Sequence, residues 1–388
     1  IIDNVKFFII IFELNLLLKE LKQIKKRVLT LTPIRIGDIE INPIWFDSYG
    51  AKSSSIFVKT NDVKVLIDPG CAGMQPSYPM PSTVKSAYRQ SALECIKTFS
   101  HRADIIVITH YHYDHHIKPH EAPEIYDSKT ILMKDPNKWI NNSQWERSRL
   151  FFQQYVEIYT SLQFESILTK PMEFDFFDPV DELKSKDIDF GGYNERRTEL
   201  FARGKKWLLR LHRKWCKENW INSHKFGNKI IFCDGKKFRF GKTLLRFTKP
   251  LFHGIEYDRV GFVVGLIIET SCAKILYTSD LQGPQIEDYA EWIIKESPDL
   301  IIADGPPTYL FGYMMNRINL MRAIRNMCKI LKNVKCNTII YDHHLMRDVR
   351  YYERVKEIYE CAKSLNKNLI TGAEWIGVVP ILKLVHFS

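Results

Sequence analysis

The stretch that decides the fold is a run of histidine, tyrosine and aspartate in the first third of the chain: Thr109-His110-Tyr111-His112-Tyr113-Asp114-His115-His116. It directly follows residues 104–108, a largely apolar and β-branched segment that is typical of a buried strand. The imidazoles therefore belong to the loop past the carboxyl end of a strand, where layered α/β proteins usually place their chemistry. Imidazole nitrogens and a carboxylate oxygen are ligands that suit Zn²⁺ and similar divalent cations.

The spacing of these side chains divides them between two cation positions. Residues two apart on an extended backbone point the same way, so His110 and His112 can bind one ion together. Asp114 and His115 follow the next bend and can reach a second position. A plain surface loop is the less favoured alternative, because solvated loops seldom carry four such side chains within six positions after a buried strand.

Three further candidate positions occur later in the chain, and each ends an apolar run. His253 follows residues 243–248 and Asp280 follows residues 274–279, whereas the pair His343 and His344 follows residues 338–342. A lone histidine at a strand end is more often structural than functional. The order His, Asp, His, with each residue at a strand tip, would complete a two-metal site and favours a functional interpretation.

These motifs together resemble the metallo-β-lactamase fold superfamily. Within it, four stretches are similar to an uncharacterised archaeal branch of metal-dependent hydrolases: Leu66-Ile67-Asp68-Pro69-Gly70, Ser279-Asp280-Leu281-Gln282-Gly283-Pro284, Ala303-Asp304-Gly305-Pro306-Pro307-Thr308-Tyr309-Leu310 and Asp342-His343-His344-Leu345. The resemblance implies an α/β protein with a four-layer αββα sandwich, which agrees with the predicted strand-rich halves and their following helices.

The resemblance also implies a dinuclear site with two divalent cations, preferably zinc. A hydroxide held between the cations would attack a carbonyl or phosphoryl centre. Asp68 would orient ligand imidazoles from behind, with a simple turn aspartate as the alternative. Asp304 would either do the same or only shape its turn. The predicted ligands are His110, His112 and His253 for one cation, Asp114, His115 and His343 for the other, and Asp280 as the bridge.

The choice between His343 and His344 as ligand depends on Arg347. Related nucleases of the fold carry an arginine four residues after the last ligand, and Arg347 stands four residues after His343. His344 or His116 is then a candidate proton donor to the leaving group. For His116 the competing interpretation is an exposed histidine or one that lies behind the ligands. The predicted catalytic set is Asp114, His344 and His116.

The composition indicates an ordered protein with a large core and excess positive charge. Hydrophobic residues make up 45% of the 388 residues, which is compatible with one elaborated domain or with two. The net charge of +11 favours an anionic partner such as nucleic acid. The eight cysteines are scattered without a Cys-x-x-Cys pair, which favours reduced thiols and a cytoplasmic location.

Residues 1–35 are predicted to be an N-terminal extension, either appended or native, because the chain does not begin with Met. Their apolar runs are too short for a membrane span and lack a signal-peptide cleavage site, so an amphipathic helix is expected and no membrane partner. Residues 36–388 are predicted to form the hydrolase domain. The oligomeric state is not predicted.

A helical, basic insertion at about 134–228 is expected to shape access to the site. Cations bind phosphates and aromatic faces stack on unpaired bases, so its composition suits single-stranded nucleic acid. We favour the alternative, a solvated helix whose tryptophans pack inward. The residues concerned are Arg196, Arg197, Arg203, Lys205, Lys206, Arg210, Arg213, Lys214 and Lys217, with Phe201, Trp207, Trp215 and Trp220 between or beside them.

Local signals predict three further features. Ser82 is expected to cap a helix over residues 82–99. Asp135-Pro136 is expected to begin a helix that reaches about residue 163. Asp234-Gly235 is expected to join strands 229–233 and 237–240 as a hairpin.

The function predicted from these patterns is a metal-dependent hydrolase, with phosphodiesters, including nucleic acid, as the favoured substrates. One alternative is hydrolysis of a small ester, thioester, lactam or lactone, which requires an apolar pocket rather than a basic groove. Another is a nucleic-acid-binding protein of this fold without catalysis, but the full ligand set argues against it.

Overall fold

Two seven-stranded β-sheets organise the chain in the computed structural model, which describes residues 2–385 and the side chains from Leu14 onward. The strands in chain order are β1 (Ile34–Ile36), β2 (Ile39–Phe46), β3 (Ser54–Lys59), β4 (Lys64–Ile67), β5 (Ile105–Ile108), β6 (Thr130–Met133), β7 (Leu168–Thr169), β8 (Trp220–Ile221), β9 (Ile230–Phe232), β10 (Lys237–Phe240), β11 (Thr243–Phe247), β12 (Leu251–Phe252), β13 (Phe262–Val263), β14 (Leu266–Glu269), β15 (Lys274–Tyr277), β16 (Leu300–Ala303), β17 (Thr338–Tyr341) and β18 (Asn368–Ile370). The α-helices are α1 (Ile2–Thr30), α2 (Ser82–Ser100), α3 (Asn142–Tyr159), α4 (Asn194–Lys217), α5 (Glu287–Glu296), α6 (Arg317–Asn333), α7 (Tyr351–Arg354), α8 (Lys356–Ser364) and α9 (Gly372–Trp375).

The two sheets share one plan. The first has the order β1-β2-β3-β4-β5-β6-β9 and the second β10-β11-β14-β15-β16-β17-β18. In each sheet the first three strand pairs are antiparallel and the last three are parallel. The carboxyl ends of the parallel strands therefore lie at one edge of each sheet.

The sheets pack against each other and carry helices on their outer faces. The Tyr277 hydroxyl of β15 reaches across to donate to the Ser54 carbonyl of β3, at 3.1 Å. Helices α1 and α2 cover the first sheet, whereas α5, α6 and α8 form a contiguous layer on the second. The buried apolar residues of both halves form one continuous core. The predicted four-layer αββα sandwich is thereby confirmed.

The N-terminal helix joins this core through its second half. Leu17, Leu21, Ile24 and Val28 are buried, and the Arg27 guanidinium donates to the Ile376 carbonyl at 2.8 Å. The predicted end of the N-terminal extension at residue 35 remains a prediction. Residue 1 of that extension and residues 386–388 of the hydrolase domain lie outside the described part of the chain. Within that part, no helix combines the length and apolarity needed to cross a membrane.

Three local predictions from sequence signals are wrong. Ser82 is the first helical residue, and the capping position is Pro81, which offers no side-chain cap. Helix α3 begins at Asn142, not at Asp135-Pro136, because the Asn141 side chain caps it by accepting from the Gln144 amide. Strands β9 and β10 belong to different sheets, so Asp234-Gly235 is a crossover and not a hairpin.

The segment between β6 and β9 contains α3, α4 and the small β7-β8 ribbon. Helix α4 buries Trp215, and Trp207 stacks on Phe262 with ring centroids 6.2 Å apart. Trp220 is buried as well. The tryptophans of the insertion thus pack inward, as the favoured interpretation of the sequence predicted.

Candidate metal centre

The candidate ligands come from strand ends in both sheets. The histidine-rich loop follows β5, and His253 follows the short strand β12. Asp280 follows β15, and His343 follows β17. All seven predicted ligands lie in groups whose donor atoms are within 4.8 Å of one another, together with His344: His110, His112, His253 and Asp280; Asp114, His115 and His343; Asp280, His343 and His344.

Asp280 stands at the centre of these groups. Its Oδ2 atom lies 3.1 Å from Nε2 of His115 and 3.1 Å from Nε2 of His253. The Nε2 atoms of His110 and His343 are each 3.5 Å away, and that of His344 is 3.6 Å away. One carboxylate thus faces five imidazoles, as a bridging ligand must.

Unsatisfied buried atoms mark the same position. Both carboxylate oxygens of Asp280 and Nε2 of His253 are buried without a hydrogen-bond partner among the described residues. Leaving a buried charged group unpaired is costly, so such atoms call for a bound partner. The donors are imidazole nitrogens and carboxylate oxygens, which fit a divalent cation such as Zn²⁺.

Three aspartates hold ligand imidazoles from behind. Oδ2 of Asp68 lies 2.8 Å from Nδ1 of His115, and Oδ2 of Asp304 lies 3.1 Å from Nδ1 of His344. Oδ1 of Asp47 lies 2.9 Å from Nδ1 of His343. Each contact leaves Nε2 of the imidazole directed at Asp280, which is the arrangement that orients histidine ligands in metal sites.

Asp68 and Asp304 lie behind the imidazoles, as one of the two predicted alternatives for each had it, whereas Asp47 was not predicted. This aspartate also accepts from the Arg347 guanidinium and from the His344 backbone amide. The available signal was its position: Asp47 directly follows β2, as Asp68 directly follows β4. The sequence analysis also missed Gln282, whose side-chain amide lies 3.2 Å from Nδ1 of His253.

A close approach of two loops fixes the position of the histidine-rich run. Asp68 accepts from the Thr109 amide and hydroxyl, both at 2.7 Å, and from the Tyr277 hydroxyl at 2.8 Å. At Gly70, an added Cβ would lie 2.2 Å from the His116 amide nitrogen. Only glycine permits this contact.

His344 has an unusual backbone for a histidine, with φ of 63°. Residues other than glycine reach this region at a cost, and they tend to do so at functional sites. The carboxylates of Asp47 and Asp304 hold its amide and its ring. Both His343 and His344 therefore direct Nε2 toward Asp280.

The structure does not bring His116 into the cluster. Its ring packs near Tyr111 and Phe151, and its Nδ1 atom lies 3.0 Å from the His112 carbonyl. Its Nε2 atom is buried and has no hydrogen-bond partner in the described part of the chain. Burial lowers the pKa of His116 to about 3, which leaves the ring neutral.

The electrostatics of the cluster favour cations. Burial lowers the pKa of His110 and of His112 well below the usual value, so both are neutral and able to bind metal. Burial opposes ionisation of Asp280, but the surrounding imidazoles, His115 first, hold its pKa well below normal. For His115, burial is outweighed by Asp280 and Asp68, which raise its pKa to about 10. Metal binding at this imidazole would displace that proton.

The cluster is accessible from one side. His110, His115 and His343 are buried, whereas His112 and Asp114 are half-buried. Tyr113, between these two, is also half-buried. Asp114 accepts from the Arg347 guanidinium at 2.9 Å.

The four layers and this donor-rich edge form the architecture of the metallo-β-lactamase fold, as the sequence resemblance predicted. Similar solved structures include the metallo-β-lactamase fold protein YhfI from Bacillus subtilis (11% identical, covering 82% of this chain and 87% of that one, TM-score 0.38). Others are unliganded yeast PDE1 (10%, 87% and 99%, TM-score 0.40) and human tRNase Z, short form (12%, 75% and 85%, TM-score 0.35).

The chain belongs to the UPF0282 family, whose matching members come from archaea. It is 30% identical over 340 residues to the UPF0282 protein of Korarchaeum cryptofilum, covering 87% of this chain and 89% of the relative. The corresponding values are 31% over 350 residues for Methanopyrus kandleri (87% and 94%) and 32% over 350 residues for Sulfurisphaera tokodaii (90% and 91%). No family model matches the chain.

Proposed function

We propose that the chain is a metal-dependent hydrolase that uses two divalent cations, preferably zinc. The observation that carries this proposal is the buried Asp280 carboxylate, which has no hydrogen-bond partner among the described residues and faces imidazoles from both sheets. A purely structural aspartate would be hydrogen-bonded at this depth.

The ligands divide between the two positions as the sequence predicted. His110, His112 and His253 serve one cation, Asp114, His115 and His343 serve the other, and Asp280 reaches both. When bound, such cations supply a nucleophilic water at neutral pH and polarise the bond to be broken.

The remaining polar residues orient the ligands and pair with the charges of the site. Asp47, Asp68 and Asp304 fix the orientation of three imidazoles. Arg347 compensates Asp47 and Asp114. We assign proton donation to His344, because its ring faces the cluster, whereas His116 is buried away from it.

Phosphodiesters, including nucleic acid, are our favoured substrates. Helix α4 packs beside the His253 loop, since its Trp207 stacks on Phe262 and Phe262 pairs with Phe252 in the β12-β13 ribbon. Its outer face displays exposed cations that make no ion pair with a described acidic residue. These are Lys205, Lys206, Arg210, Arg213 and Lys217.

The second candidate is hydrolysis of a small neutral ester, thioester, lactam or lactone. The buried donor cluster serves this chemistry equally well, because both reactions need an activated water and an electrophile held by cations. A non-catalytic nucleic-acid-binding protein is the third candidate, and it gives the unsatisfied atoms of Asp280 no role.

We also propose a reducing, cytoplasmic location, since all eight cysteines are free thiols.

Metal analysis and an activity screen test the proposal together. Purified protein should contain two divalent cations per chain, and it should hydrolyse bis(p-nitrophenyl) phosphate faster than a lactone or thioester. Asp280→Asn should lose metal and activity, whereas Asp175→Asn, at an exposed position, should retain both. The hydrolase proposal fails if the metal-loaded protein turns over neither class of ester.

His343→Ala and His344→Ala separate ligand from proton donor. We expect His343→Ala to lose one equivalent of metal. His344→Ala should keep both equivalents and lose turnover, most strongly for substrates with a basic leaving group. Equal metal loss in both variants would make His344 a ligand as well.

A further inference from the structure

Two basic side chains lie against one aromatic ring at the open side of the metal centre. The Lys118 ammonium and the Arg147 guanidinium are each 4.9 Å from the ring centroid of Tyr113. All three residues are half-buried. Tyr113 stands between the candidate ligands His112 and Asp114 in the sequence, so both cations lie beside the loop that carries these ligands.

Neither of these cations is neutralised by the described part of the protein. Lys118 and Arg147 make no side-chain hydrogen bond and no ion pair there, whereas the inner arginine of the site, Arg347, is paired with both Asp47 and Asp114. Cation–π attraction to one tyrosine is weak at an exposed site. Both cations contact the same ring and make no ion pair with a described acidic residue, so their hydrogen-bond donors are free for an anion.

The chemistry of the pair indicates what kind of anion would bind. A guanidinium offers parallel N–H donors that match two oxygens of a phosphate, and an ammonium adds a point charge. The Tyr113 ring restricts both side chains, so less flexibility is lost on binding. A carboxylate could use the same donors but carries less charge.

We propose that Lys118, Arg147 and Tyr113 form a phosphate subsite that holds a phosphate group next to the bond that is cleaved. This inference rests on the proposed hydrolase function and specifies its substrate: a phosphoester with a second phosphate adjoining the reacting one. The three residues act by positioning the substrate, and the chemistry remains with the cluster.

Direct binding tests the subsite apart from catalysis. Inorganic phosphate is titrated calorimetrically into the metal-loaded wild type, Arg147→Ala, Lys118→Ala and the matched controls Arg325→Ala and Lys335→Ala, which remove exposed cations of α6 and the loop after it. We expect at least tenfold weaker binding in the first two variants, unchanged binding in the controls and partial recovery in Arg147→Lys. Metal content and the thermal unfolding profile should not change.

Kinetics extend the same test. For a dinucleotide that carries a terminal 5′-phosphate, Arg147→Ala should raise KM at least tenfold with little change in kcat. KM for a neutral ester should stay the same in every variant. Unaltered phosphate binding in folded, metal-loaded Arg147→Ala and Lys118→Ala would overturn the subsite. If no ester is turned over but phosphate binding still depends on both residues, the subsite stands and the hydrolase proposal falls.

Discussion

Asp47 shows how much of the metal centre depends on one carboxylate. Its two oxygens accept from the Ser53 amide, the His344 amide and the Arg347 guanidinium, and one of them also holds Nδ1 of His343. The charge of Arg347, with that of His343, outweighs burial and keeps the pKa of Asp47 below its usual value. Asp47 therefore fixes a ligand, a strained backbone and a compensating cation together.

We predict that Asp47→Asn lowers the metal affinity of the site by roughly 10–100-fold, because the amide no longer provides a charged acceptor for His343 and Arg347. Competition titration with a zinc chelator dye measures this change. Asp175→Asn is the control, since Asp175 is exposed and makes no side-chain hydrogen bond within the described residues. Equal affinities in both variants would contradict the role of Asp47.

Single functional residues can be recognised in the sequence where their spacing is typical of metal ligands. The run from His110 to His115 could be recognised because ligands two residues apart share a direction on extended backbone. Asp47 could not be recognised in this way, since the ligand that it orients, His343, lies almost 300 residues further along the chain. Its role depends on how the two sheets meet.

Helix α4 is tied to the His253 loop by a buried ionic network. Glu256, three residues after His253, lies 3.0 Å from the Arg197 guanidinium of α4 and 2.7 Å from that of Arg322 on α6. All three side chains are at most 9% exposed. Burial alone would raise the pKa of Glu256, but Arg322 first and then Arg197 lower it.

We predict that Glu256→Gln destabilises the fold by about 3–5 kcal/mol, because two buried cations lose their shared partner. Urea unfolding measures the change. Glu182→Gln should cost no more than ~1 kcal/mol, since its pair with Lys249 is exposed. A loss in Glu256→Gln no larger than in this control would contradict the network.

The Glu256 carboxylate makes the stability of the fold depend on pH, and the direction of this dependence follows from its pKa. Its pKa is lower in the folded chain than the ordinary value of 4.5, so its stabilisation is present above that value. The contribution is lost as the pH falls through the folded-state pKa. We expect the stability difference between wild type and Glu256→Gln to shrink on acidification below pH 4.5, as followed by urea unfolding at several pH values. A difference that is constant with pH would contradict this assignment.

A separate prediction concerns nucleic-acid binding by the outer face of α4. Replacing Lys205, Lys206 and Arg213 with alanine should weaken binding of a single-stranded oligonucleotide and flatten its salt dependence by roughly 0.7 per lost phosphate contact. Fluorescence anisotropy across a range of KCl concentrations measures both quantities. The triple replacement of Arg325, Lys332 and Lys335, on and just after α6, is the matched control. Identical salt slopes in the two triple variants would remove α4 from the proposed interface.

Local signals predicted several strands, but a nearby cap at Asn141 decided the start of α3 and a distant contact decided the path at Asp234-Gly235. The limits of β2, β6 and β16 agree with their apolar runs. Asp234-Gly235 has the composition of a hairpin, but Asp234 pairs with Lys134 and accepts from the Asp135 amide. Those bonds fix β9 beside β6 in the first sheet, and the chain then crosses to the second.

The whole molecule consists of two similar sheets joined across the candidate metal centre. His110, His112, Asp114 and His115 follow the first sheet, whereas His253, Asp280 and His343 belong to the second half. The layered fold could be predicted because the order of strands, helices and ligands fits one architecture. The matching plan of the two sheets could not, because it is a property of strand pairing and leaves no sequence repeat.

We predict that removing metal destabilises the entire molecule, because ligands from both halves then lose a common partner. Zinc at 100 times its dissociation constant should stabilise the folded chain by about 2.7 kcal/mol. Differential scanning calorimetry with zinc or with a chelator measures the shift in Tm. Asp280→Asn should show little shift, and a wild-type Tm that does not respond to chelation would contradict the prediction.

The crossover at Asp234-Gly235 has a consequence for synthesis on the ribosome. Every strand of the first sheet precedes it and every strand of the second follows it. A nascent polypeptide can thus complete one half, including four donors, while the other half is still untranslated. The candidate site needs donors from both halves, so two separately expressed fragments that meet at this junction should bind metal only when mixed.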